Sequence, residues 1–176
     1  MKKRVKKIVI DASVARAAGN TSLHPASKGC REALLSIDAS KLVVIIGGNL
    51  KEEWNKHQSK FSKSWLISVI ARGRFFPINP LPQCHQLRAC ISKTASDEKS
   101  ETAMNKDVHL LELALCSDHI VLALDEVVRT HFKALSAHHT PLKFVMWANP
   151  SQQIDNVPIW LKKGAPNNKY LMLGAE

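Results

Sequence analysis

Four short apolar runs set the pattern of this chain: "KKIVID" (6–11), "KLVVII" (41–46), "HIVLAL" (119–124) and "KFVMW" (143–147). None shows the strict alternation of a strand with one wet face, so each reads as a strand covered on both sides. Helical patterns lie between them. "PASKGCREALLSI" sets Ala33, Leu34 and Ile37 on one face despite an internal glycine, and "LKEEWNKHQSKF" places Leu50, Trp54, His57 and Phe61 at helical spacing. "KSWLISVIARG" is apolar almost all round and closes on Gly73, a C-cap signal. "KDVHLLELALCS" aligns Asp107, Leu110, Leu111, Ala114 and Leu115. Strands alternating with helices predict an α/β protein: a three-layer α/β/α sandwich around a central, mainly parallel sheet with right-handed crossovers.

Segment 74–105 does not fit this alternation. Pro77, Pro80 and Pro82 interrupt regular structure, "QCHQLRACISK" suits a short helix, and the polar stretch 94–103 reads as a mobile loop. No internal repeat or linker divides the chain. Residues 1–150 are expected to form one domain, and 151–176 a tail that docks on it through Trp160 and Leu161 and ends loosely.

A length of 176 residues is enough for one sizeable core. No apolar run approaches the roughly 20 residues of a membrane-spanning helix. The basic opening "MKKRVKKIVIDAS" does not qualify as a signal peptide, because Asp11 interrupts its apolar segment after "IVI". The four cysteines, Cys30, Cys84, Cys90 and Cys116, form no C-x-x-C pair. That usage suits a reducing compartment, and the expected location is the cytoplasm. The net charge is +10, from 25 Lys and Arg against 15 Asp and Glu, with five positives in the first seven residues. Such a balance suits a polyanionic partner, nucleic acid first, although solubility alone also accounts for surface charge.

The carboxylates carry the chemistry. Ligands of open α/β sheets sit beyond the carboxyl ends of the strands. Asp11 ends the first run and Asp125 the third, so both reach one crevice if those strands are neighbours. Either alone also suits a helix N-cap. In "GGNLKEEW", Asn49 is a candidate N-cap and Glu52 falls at the capping-box position, with Lys56 one turn on. Glu53 shares the inward stripe of Leu50, Trp54 and His57 and is the better functional candidate, with Glu52 its rival. Asp107, with Asn105 as a candidate cap, lies in the first turn of a helix over 106–116 and in line with its buried stripe. His109, Glu112 and Cys116 fall on the outer face, and Asp118 belongs to the turn before the third strand.

Four converging carboxylates repel one another and raise their own pKa values. Mg2+ or Mn2+ is the natural remedy: it prefers oxygen ligands, keeps waters and bridges to phosphate. An acidic pit on a basic protein therefore points to metal-dependent phosphodiester hydrolysis.

"IVIDASV", followed far downstream by "KDVHLLELALCSDHIVLALDEVVR", resembles the PIN-domain family of metal-dependent ribonucleases over about residues 5–148. In that resemblance Asp11 matches the acid ending the first strand. Glu53, with Glu52 as the rival alignment, matches the acid opening the helix after the second. Asp107 and Asp125 match the third and fourth acids. Relatives often carry a further acid or amide two residues after the last; here that residue is Val127, with Glu126 adjacent. The resemblance implies cleavage of single-stranded RNA by a metal-activated water, leaving 5′-phosphate and 3′-hydroxyl ends, with Mg2+ or Mn2+ as cofactor. Many small bacterial members are toxins neutralised by an antitoxin, and many dimerise. RNA, an antitoxin protein and a second copy of the chain are thus the expected partners. Ser13, Lys106 and Arg129 are candidate RNA contacts, with Arg72 and Arg74 behind them.

Two rivals stand beside this reading. A haloacid-dehalogenase-like phosphatase also ends its first strand on Asp, but it wants a second acid where this chain has Ser13. A catalytically silent module of the same fold would bind RNA or protein without cutting.

Overall fold

The computed structural model describes residues 4–19 and 24–175. Five strands, β1 (Lys7–Ile10), β2 (Val43–Gly47), β3 (Phe75–Ile78), β4 (Ile120–Leu122) and β5 (Met146–Ala148), form one sheet of order β3-β2-β1-β4-β5. All four pairings are parallel; Ile8 sits beside Val44, and Val9 also beside Val121. Among the described residues eight helices flank the sheet: α1 (Ala12–Ala17), α2 (Pro25–Ser40), α3 (Asn49–His57), α4 (Lys60–Ala71), α5 (His85–Thr94), α6 (Glu98–Leu115), α7 (Glu126–Leu135) and α8 (Val157–Lys162). One group has α2 packed on α1, α4 and α8; the other has α6 packed on α5 and α7. The architecture is the expected three-layer α/β/α sandwich.

The central strands are apolar because they have no wet face: Ile8, Val9, Ile10, Val44, Ile45, Val121 and Leu122 are wholly buried. Burying each such side chain contributes about 1.5–3 kcal/mol. Gly29 inside α2 has a packing reason. A Cβ there would stand 2.1 Å from the Pro150 carbonyl oxygen, so only glycine lets α2 approach that loop. Among the described residues no helix is long and apolar enough to cross a membrane.

Several expectations are corrected. The helix expected through 50–61 is two, α3 and α4, divided at Ser59, whose hydroxyl caps α4 by accepting the Ser62 N–H. Segment 74–105 holds an unforeseen edge strand, β3; Pro77 is tolerated in it because an edge strand need not donate on both sides. The polar stretch 94–103 is no loop over most of its length. Asp97 and Ser100 close a reciprocal capping box that starts α6 at Glu98, well before the expected start. Asn105 is therefore inside the helix, not its cap. The last strand begins at Met146, after a 3-10 turn at Thr140–Phe144. The C-terminal segment is anchored rather than loose, since Leu171 and Leu173 are 2 % exposed and Met172 bridges Met146.

Candidate active site

Strand order reverses between β1 and β4, and the crevice beyond their carboxyl ends is where such sheets bind ligands. Asp11 and Asp125 both lie there. The Asp11 N–H donates to the Leu122 carbonyl at 2.8 Å, joining the end of β1 to that of β4. Asp11 Oδ2 accepts the Ser13 N–H at 3.1 Å and, in a shorter contact, the Ser13 hydroxyl. Ser13 Oγ accepts in turn from the Leu124 N–H at 3.4 Å. Asp125 caps α7, its Oδ1 accepting the Val128 N–H at 2.9 Å. Each aspartate is thus an N-cap and a cavity residue at once. Asp11 Oδ1 and Asp125 Oδ2 accept no hydrogen bond among the described residues.

Glu53 is set by its neighbour. Trp54 is buried, and its indole N–H donates to the Ile10 carbonyl at 2.8 Å, pinning α3 beside Asp11. The Trp54 ring also packs against Trp65 of α4, with centroids 6.3 Å apart. Glu53 consequently lines the crevice, while Glu52 is exposed. Gly48, with φ of +53°, occupies the cap position ahead of α3, and Asn49 is already helical, so Glu52 does not reach a capping-box position. Asp107 projects from the middle of α6 into the same space.

Together Asp11, Glu53, Asp107, Asp125, Ser13 and Lys106 line one cavity of about 240 Å³. Ala12, Arg16 and His57 complete its wall, and Arg16 and His57 were not foreseen as site residues. Spacing was the available signal: Arg16 is one turn from Ser13, and His57 one turn from Glu53. Burial pushes the Asp107 carboxyl up to about 6; the charge of Asp11 adds to this, as do Asp125 and Glu53, while Lys106 opposes them. None of the four carboxylates is paired with Lys or Arg among the described residues.

Among the described residues, no three His, Cys, Asp or Glu side chains close into a ready ligand cage. The donors are carboxylate oxygens around an open cavity. That chemistry fits Mg2+ or Mn2+, which keep several waters, and not a structural zinc held by four ligands.

Other singled-out charges lie elsewhere. Arg129 bonds Asp155 Oδ2 at 2.9 Å and lines a larger cavity, about 760 Å³, beside α8. That cavity has no carboxylate cluster, since its one acid, Asp155, is paired with Arg129. Glu126 accepts from Asn149 Nδ2 at 2.7 Å and is turned into that same network. Arg72 and Arg74 both pair with Asp38, holding its carboxyl below the usual range, Arg72 most strongly. Two residues assigned to the outer face of α6 are buried. Glu112 accepts from Arg88 Nε at 2.8 Å, Arg88 Nη2 at 2.7 Å and the Cys84 N–H at 2.8 Å. His109 is 4 % exposed. Two neighbours account for this: α5, from the segment read as irregular, packs on α6 and brings Arg88 to Glu112, while His109 faces Glu53 of α3.

Comparison of the chain with protein-family models, curated proteins and solved structures gives no match.

Proposed function

We propose that the chain is a divalent-metal-dependent endoribonuclease of the PIN-domain type that hydrolyses phosphodiesters of single-stranded RNA. The observation that carries this reading is the gathering of Asp11, Glu53, Asp107 and Asp125 on one small cavity at the β1/β4 switch point. Four acids without cationic partners are an expensive arrangement for a fold to keep unless a cation is drawn there. Mg2+ or Mn2+, when bound, supplies a water of lowered pKa and a counter-charge for the phosphodiester. Asp11 Oδ1 and Asp125 Oδ2 are the oxygens left open to it, with the Asp107 and Glu53 carboxylates beside them. Ser13 fixes the orientation of Asp11 and ties it to the end of β4. Lys106 and Arg16 at the rim draw the RNA phosphates toward the acidic floor. Water attack at phosphorus breaks the P–O3′ bond, leaving a 3′-hydroxyl and a 5′-phosphate.

The test is cleavage of a labelled single-stranded RNA with Mn2+, Mg2+ or excess chelator. Asp11→Asn and Asp125→Asn should each slow cutting by about 100-fold or more. Asparagine also caps helices well, so both variants should keep the fold and its circular dichroism. Cutting that survives chelator, or both substitutions, removes this site from the reaction. Binding of RNA with no cutting under any metal identifies a silent module.

A further inference from the structure

His109 is buried on α6, facing Glu53 of the acidic cavity, with half of its imidazole unused. Its Nδ1 lies 2.9 Å from the Lys106 carbonyl oxygen, which can only accept, so Nδ1 carries the proton. In the neutral ring the lone pair is then on Nε2. That atom is buried with no hydrogen-bond partner, 3.8 Å from Glu53 Oε2. Glu53 accepts no hydrogen bond among the described residues either. Two acceptors face each other across a gap too long for a direct hydrogen bond.

Building on the nuclease reading above, we propose that His109 Nε2 and the Glu53 carboxylate hold a divalent transition ion between them, making the site selective for Mn2+ over Mg2+. Two metal–donor bonds of about 2.1 Å each can reach across the gap. An Nδ1–H clamped on a backbone carbonyl is the arrangement that fixes the tautomer and aim of a metal-binding imidazole. Mg2+ favours oxygen ligands, whereas imidazole nitrogen suits first-row transition ions, so the nitrogen sets the preference. Trp54, adjacent to Glu53 and bonded to Ile10, holds α3 at the distance that keeps this gap open. The pairing is not visible in the sequence, since helix periodicity places His109 on the outer face of α6.

The experiment is pulsed electron paramagnetic resonance of Mn2+ bound to the full chain, with Mn2+ and Mg2+ affinities measured alongside. The wild-type protein should show nitrogen modulation from a directly bound imidazole. His109→Asn keeps an N–H for the Lys106 carbonyl but has no atom at Nε2. It should lose the modulation and bind Mn2+ about tenfold more weakly, with Mg2+ affinity nearly unchanged. His57→Gln, which removes the imidazole that lines the cavity, should retain the modulation. Should His109→Asn fail to fold, His57→Gln with 15N-labelled histidine decides the matter, because the 14N pattern must become that of 15N. Mn2+-dependent RNA cleavage without nitrogen modulation, as when a proton rather than a metal joins His109 to Glu53, overturns this proposal and leaves the nuclease reading standing. A wild-type chain that binds no Mn2+ overturns both.

Discussion

Asp107 and Glu112 stand on the same helix, and the fold treats them in opposite ways. Glu112 has a fully buried side chain and is satisfied, gripped by the Arg88 guanidinium and the Cys84 N–H. Asp107 is half-buried, without a basic partner, among three other acids that together with burial raise its pKa to about 6. One carboxylate is integrated into the packing of α5 on α6, and the other is left electrostatically unfinished. The difference separates a charge that holds the structure from one that, on the proposed function, is kept for a ligand. A buried acid with all its bonds made does not call for a ligand, whereas a cluster of acids with oxygens to spare does.

The contrast can be broken at several points, the largest effect first. Arg88→Ala leaves Glu112 as an uncompensated buried charge and should cost about 3–5 kcal/mol in urea denaturation. A loss under about 1 kcal/mol would show that Glu112 is not dependent on its partner. Trp54→Phe should cost about 1–3 kcal/mol, since it orphans the Ile10 carbonyl. It should also weaken Mn2+ binding by loosening Glu53, which titration calorimetry would detect.

Asp107→Asn should act in the opposite sense to Arg88→Ala. The folded pKa near 6 lies above the ordinary carboxylate value, so the folded state holds this proton more tightly than the unfolded chain. Below about pH 4 both states are protonated and Asp107 costs nothing. As pH rises toward 6 the metal-free protein loses stability, and above 6 the loss is complete. Asp107→Asn should therefore stabilise the metal-free protein at pH 7 by roughly 1–2 kcal/mol, discounted for the open side of the cavity, and flatten the pH 4–6 slope of its stability. Unchanged stability at pH 7 would mean that the acids do not strain the fold. The smallest effect belongs to the surface: Arg72→Ala should cost less than about 1 kcal/mol, because Arg74 still pairs with Asp38 and exposed ion pairs contribute little.

The same contrast explains what could be read from the sequence. Strand-terminal aspartates were legible because apolar runs locate strands, and strand ends in α/β sheets locate the crevice. Glu53 was separable from Glu52 because Trp54 and Leu50 mark the inward stripe of α3. Glu112, His109 and Arg88 were not legible, because their meaning depends on which helix packs over α6. For His109 that helix is α3, whose packing on α6 periodicity does not show. For Glu112 and Arg88 it is α5, which with β3 lies in a segment whose prolines and polar run mask its order. The capping box of Asp97 and Ser100 was the local signal available there. It was obscured because Ser, not the usual Glu or Gln, occupies the third helical position. Nor could periodicity show that Arg129 is consumed by Asp155, an ion pair between segments distant in the chain.

On the proposed function, a divalent cation finishes the four unfinished carboxylates. Anomalous diffraction from crystals soaked in Mn2+ tests it most directly. A strong peak is expected in the cavity, within bonding distance of at least two of Asp11, Glu53, Asp107 and Asp125. Crystals that take up Mn2+ elsewhere and leave this cavity without a peak would contradict it.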